Sequence, residues 1–118
     1  AEACRYLSEI GVDDIAEHSR GLAKKASIGL KEIKSVGVYT GEGVVSFSVR
    51  GVQSHDVAEI LSRDGIAARA GHHCAEPYVR ALGQSGLVRV SFYLYNDESD
   101  VEDLVAGVKK AISVFVMD

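Results

Sequence analysis

Two short segments, Val44–Arg50 and Leu87–Tyr95, alternate apolar and polar residues, and this period of two constrains the fold more than any other feature of the chain. In the first, Val45, Phe47 and Val49 share one face while Ser46, Ser48 and Arg50 share the other. In the second, Val88, Val90, Phe92 and Leu94 oppose Arg89, Ser91, Tyr93 and Tyr95. A strand with one apolar face and one polar face is half-buried, so it belongs to a sheet covered on a single side. Ser35–Tyr39 reads as another short strand, joined to Val44–Arg50 in a hairpin through Thr40-Gly41-Glu42-Gly43. Ile66–Arg69 reads as a fourth strand.

The segments between them have helical spacing. Asp13–Lys34 sets Ile15, Leu22, Ala26, Leu30 and Ile33 on one stripe, after a short helix Glu2–Ile10 broken at Gly11. Ser54 is placed to cap a helix His55–Arg63, whose Val57, Ile60 and Leu61 face inward and which ends at Asp64-Gly65. Gly71–Pro77 is a loop, followed by a helical turn or two to Leu82. The last helix carries the stripe Val101, Leu104, Val105, Val108, Ile112, Phe115 and Val116. Asp97, Glu98, Asp100, Glu102 and Asp103 crowd its start and Lys109 and Lys110 lie further along, which suits the helix macrodipole. Metal or a basic partner is the other reading of that acidic run. The order predicts an α+β fold, a small, mostly antiparallel sheet with helices packed on one face.

A chain of 118 residues makes one domain with a single core. Its 13 basic and 17 acidic side chains give a net charge of −4, which argues against a nucleic-acid scaffold. The longest stretch free of Lys, Arg, Asp and Glu is the eight residues from Ala81 to Val88, far short of the roughly 20 apolar residues of a membrane span. No secretory signal opens the sequence, and two cysteines, Cys4 and Cys74, make no disulfide framework. Reduced thiols and a cytoplasmic location are the expectation. The chain begins at Ala1 and its one methionine is Met117, which points to processing or to excision from something longer.

Phosphate-binding glycine motifs and a serine-nucleophile elbow are absent. One segment concentrates reactive groups: Arg69-Ala70-Gly71-His72-His73-Cys74-Ala75-Glu76-Pro77. A thiolate is the nucleophilic form of cysteine, and cationic neighbours or a helix start favour it. Cys74 has Arg69 and two histidines close by and precedes Pro77, a residue suited to a first helical turn. Gly71 frees the backbone for a sharp turn. A thiol on such a loop fits a sulfur carrier or nucleophile, whereas a free cysteine is otherwise commonly inert core filler. Zinc usually takes four ligands, and only His72, His73 and Cys74 are adjacent here, so no metal is expected.

Arg69-Ala70-Gly71-His72-His73-Cys74-Ala75 closely resembles the active-site cysteine loop of the SufS-like (group II) cysteine desulfurases, within the class V aminotransferases. The flanks Val44–Val49, Gly51–Ala58 and Val88–Asn96 also resemble that family, so the likeness spans essentially the whole chain. The resemblance implies the C-terminal small domain, residues 1–118, of a fold-type I enzyme that uses pyridoxal 5′-phosphate as an electron sink. Cys74 matches the nucleophile that takes sulfur from L-cysteine as a persulfide, leaving L-alanine, for iron–sulfur cluster assembly or other sulfur delivery. Arg89 matches the arginine that clamps the substrate carboxylate, with Arg69, His72 and His73 in supporting roles. His55 is read as part of a helix start and not as a ligand.

The family's cofactor-binding lysine, acidic partner and phosphate cup have no counterpart here; Lys24, Lys25, Lys31, Lys34, Lys109 and Lys110 all sit on predicted helices. The expectation is a small domain without its cofactor-bearing large domain, inactive alone, acting in a homodimer with a sulfur acceptor protein. A stand-alone sulfur-carrier module is the alternative. Cysteine, selenocysteine and cysteine sulfinate are all open as substrates.

Overall fold

Val45, Phe47 and Val49 turn one face of the second strand fully inward, and the sheet grows from that face. The computed structural model describes residues 1–115. Nine elements follow in order: α1 (Glu2–Ile10), α2 (Val12–Lys31), β1 (Val36–Thr40), β2 (Val44–Val49), α3 (Ser54–Arg63), β3 (Arg69–Gly71), α4 (Glu76–Ala81), β4 (Leu87–Ser91) and α5 (Glu98–Phe115). The four strands lie in the order β1-β2-β4-β3, and every neighbouring pair is antiparallel. This is the α+β layer expected from the alternation.

Val45, Phe47, Val88 and Val90 meet Leu22, Ala26 and Leu30 of α2, Leu61 of α3, and Leu104 and Val108 of α5 in one core. Each fully buried Phe, Leu or Val contributes about 1.5–3 kcal/mol relative to an exposed position. Gly107 shows how closely α5 approaches α3: a Cβ there would lie 2.7 Å from Leu61 Cδ2 and 3.0 Å from Ile66 Cδ1. The opposite face carries Tyr39, Ser46, Ser48 and Arg89, all polar and partly accessible. Helix α1 buries none of its residues.

Several expected boundaries shift. Helix α2 stops at Lys31, and Ile33, expected on its stripe, packs against the core from beyond the helix end. The strand expected over Ile66–Arg69 is instead Arg69–Gly71. Ile66 bonds its N–H to the Leu61 carbonyl and packs on α5, so that apolar run closes α3 before any pairing begins. Strand β4 ends at Ser91, not Tyr95, because the Tyr93 N–H is taken by Asn96 Oδ1 in a turn. The residue before α3 is Gln53, whose carbonyl accepts from Asp56 and Val57; Ser54 is the first helical residue and makes no cap bond.

In α5, Phe115 is exposed where the stripe expected burial, and Val116 lies outside the described residues. The acidic run at its start is a cap. Asp97 Oδ1 accepts from the Asp100 N–H and the Ser99 hydroxyl, while Asp100 Oδ2 accepts from the Asp97 N–H. The Ser99 hydroxyl, then the Asp100 N–H, hold the Asp97 carboxyl below the usual aspartate value.

Candidate active site

Strand β3 is three residues long, and its register with β4 builds the polar centre. Arg69 pairs with Arg89, Ala70 with Val88 and Gly71 with Leu87. Directly opposed residues point to the same side of a sheet, so the two guanidiniums share the face away from the core. Arg89 is half-buried and Arg69 exposed. Among the described residues neither forms an ion pair, although Arg5, Arg20, Arg63 and Arg80 all do. Two unpartnered guanidiniums side by side can receive a carboxylate or another anion through parallel N–H bonds.

The chain leaves β3 at Gly71 (φ 123°) and returns to β4 through Gly86. A Cβ on Gly86 would lie 2.8 Å from Ser54 Oγ and 3.6 Å from Gly71 Cα, so a larger residue there would have to displace the Ser54 hydroxyl where the loop ends meet. Between them the His72 carbonyl accepts from the Ala75 N–H at 2.8 Å, which closes a turn around His73 and Cys74. Those two residues are the only non-glycines at positive φ among the described residues, at 53° and 60°. Each such conformation costs on the order of 1 kcal/mol and persists only where its surroundings over-determine it.

His73 supplies part of that determination. Its Nε2 lies 3.0 Å from the Leu87 carbonyl oxygen, which can only accept, so Nε2 carries the hydrogen. Burial holds the His73 imidazole below its ordinary value; the Leu87 bond acts against this, and the charges of Arg89, Arg69 and His72 add to it. Cys74 itself is a free, exposed thiol, and α4 begins just after it with Pro77 in its first turn. The inert, buried reading of this cysteine therefore fails on burial. Cys4 is also free and exposed, but it sits on α1.

Arg69, Arg89, His72, His73 and Cys74 thus come from one strand pair and the loop that joins it. His55, expected only at a helix start, has its Cε1 3.9 Å from where a Gly71 Cβ would stand. The Leu87 carbonyl was invisible to sequence reasoning, because backbone groups carry no residue signature. A groove of 470 Å³ also opens on the polar side, lined by Lys34, Tyr39, Arg50, Ser54 and Gln84 among others, with Cys74 outside its lining. No three His, Cys, Asp or Glu side chains converge on a metal position among the described residues.

No lysine belongs to β3, β4 or the loop between them. Lys25 is paired with Glu98, and Lys110 lies 2.8 Å from Asp64. A pyridoxal cofactor needs a lysine amine, a pyridine-nitrogen partner and phosphate donors in one place. These residues do not build that cradle.

A family model described as Aminotransferase class-V matches residues 1–104. The chain belongs to this family. It is 41% identical over 116 residues to a probable cysteine desulfurase of Halalkalibacterium halodurans, covering 96% of this chain and 29% of that protein. With a probable cysteine desulfurase of Halobacterium salinarum it shares 42% over 120 residues, covering 98% and 29%. Among solved structures, a cysteine desulfurase of Escherichia coli crystallised in an S-sulfonic acid form superposes with a TM-score of 0.89 at 32% identity, over 94% of this chain and 28% of that one. An apo cysteine desulfurase of Thermococcus onnurineus gives 0.86 at 38% identity, over 93% and 29%. The chain spans less than a third of the length of these relatives. No helix among the described residues is long and apolar enough to cross a membrane.

Proposed function

We propose that residues 1–118 are the C-terminal small domain of a group II, SufS-like cysteine desulfurase, and that Cys74 is its sulfur nucleophile. The observation that carries this reading is the exposed thiol on a tethered, strained turn in the connection between the strands of Arg69 and Arg89, neither of which is ion-paired among the described residues. L-Cysteine is the substrate, and pyridoxal 5′-phosphate is held by a part of the enzyme outside these residues. When bound, the cofactor supplies an electron sink at the substrate's α-carbon.

This chain does the rest of the sulfur chemistry. Arg89 binds the substrate carboxylate through two parallel hydrogen bonds, and Arg69 adds positive potential beside it. Cys74 Sγ, as thiolate, attacks the substrate sulfur. An S–S bond forms on Cys74 as the C–S bond breaks, and the electron pair of the broken bond stays with carbon. Carbon takes up a proton and is released as L-alanine. The balance is L-cysteine plus thiol to L-alanine plus persulfide, with no outside oxidant or reductant.

The persulfide stands exposed, where a sulfur acceptor protein can reach it for iron–sulfur cluster assembly or other delivery. A homodimer in the cytoplasm, where thiols stay reduced, fits this chemistry. Alanine release from L-cysteine by the complete enzyme, with and without Cys74→Ser, tests the reading. Release is expected only with Cys74 in place and only when the cofactor-bearing part is present. Turnover by the 118-residue chain plus cofactor alone would refute the assignment as an incomplete enzyme.

A further inference from the structure

We infer that His73 is the positioning residue of the Cys74 turn, through the hydrogen bond from its Nε2–H to the Leu87 carbonyl. This inference rests on the proposed role of Cys74 and deepens it.

His73 and Cys74 are consecutive and both left-handed, an arrangement that non-glycine residues rarely hold. Something outside the turn must therefore stabilise it. The Ala75-to-His72 bond closes the turn locally, but it does not fix the turn's direction relative to the sheet. The His73–Leu87 bond does, because it spans 14 residues and ends on a strand. Leu87 opens β4, the strand that carries Arg89 two residues later, and its side chain is buried. One hydrogen bond thus couples the thiol-bearing turn to the strand bearing the carboxylate-binding guanidinium. The ring is half-buried, and that burial, with the charges of Arg89, Arg69 and His72, disfavours its protonated form. The distance from Cys74 Sγ to a substrate held on Arg89 is then set through the His73–Leu87 bond.

The test compares His73→Ala with His73→Gln, whose amide nitrogen reaches the same carbonyl from a similar distance. In the 118-residue chain, amide hydrogen exchange at Ala75 reports the turn whether or not the chain is part of a desulfurase. His73→Ala is expected to speed Ala75 exchange about tenfold while the β4 amides of Val88 and Val90 stay protected. In the complete enzyme His73→Ala is expected to lower kcat for alanine release by about tenfold to a hundredfold. KM for cysteine should stay within about twofold, since Arg89 is untouched. His73→Gln should recover both readouts to within about threefold of the parent. Unchanged Ala75 exchange in His73→Ala overturns the inference, as does faster exchange with unaltered kcat or a failure of Gln to rescue. If the parent enzyme releases no alanine, the desulfurase reading fails and the exchange comparison still decides the tether.

Discussion

Arg69 and Arg89 stand directly opposite each other across β3 and β4, with no carboxylate partner among the described residues. Like charges directly opposite each other across two strands are destabilising, here taken as about the size of a favourable cross-strand pair, roughly 0.2–1 kcal/mol. Arg69→Gln and Arg89→Gln each keep most of the aliphatic stem and remove the charge. Either single change should stabilise the chain by a few tenths to about 1 kcal/mol, and the double change should add little beyond one of them. For a domain of this size that is a rise in Tm of about 2–6 °C. Urea and thermal melts of the four proteins complete the cycle. The coupling should shrink as salt rises, because the Debye length falls from about 30 Å at 0.01 M to about 3 Å at 1 M. Strict additivity at low salt, or destabilisation by both single changes, would refute the reasoning.

Gly86→Ala forces a Cβ to within 2.8 Å of Ser54 Oγ, so it should slow alanine release by the complete enzyme about tenfold while shifting the melt of the chain by only about 1–2 kcal/mol. Adding Ser54→Ala should restore much of the rate. Asp97 behaves differently, because its folded-state pKa is lowered. Its contribution is therefore present above the unfolded aspartate value and lost as pH falls through the folded one. Asp97→Asn should lower stability near pH 7, and the deficit should shrink as pH falls below the ordinary aspartate range, read from urea midpoints. An equal deficit at both pH values would contradict the capping role.

Much of this fold is legible in the residues. The alternation of Val45, Phe47 and Val49 places the core side of β2, and the same period puts Arg89 on the face away from Val88 and Val90. Period two works there because each strand has one dry and one wet side. It misleads at Phe92 and Leu94, where the apolar rhythm outlasts the ladder, while Ile66, expected in a strand, packs beside α5 without pairing. Ladder ends depend on which backbone groups a turn captures, as Asn96 does with the Tyr93 N–H. The Cys74 loop was legible by its residues and by family likeness. Its geometry was not, since the His73–Leu87 bond and the tandem left-handed pair depend on a carbonyl 14 residues away. The register that opposes Arg69 to Arg89 is likewise a tertiary fact.

The central claim, that Cys74 accepts the sulfur, is tested most directly by the mass of its peptide after the complete enzyme meets L-cysteine without an acceptor. The expected result is one additional sulfur atom on the peptide carrying Cys74, removed by a reducing thiol, absent from the peptide carrying Cys4 and absent in Cys74→Ser. Alanine release with no added sulfur on Cys74, or the same addition on Cys4, would contradict it.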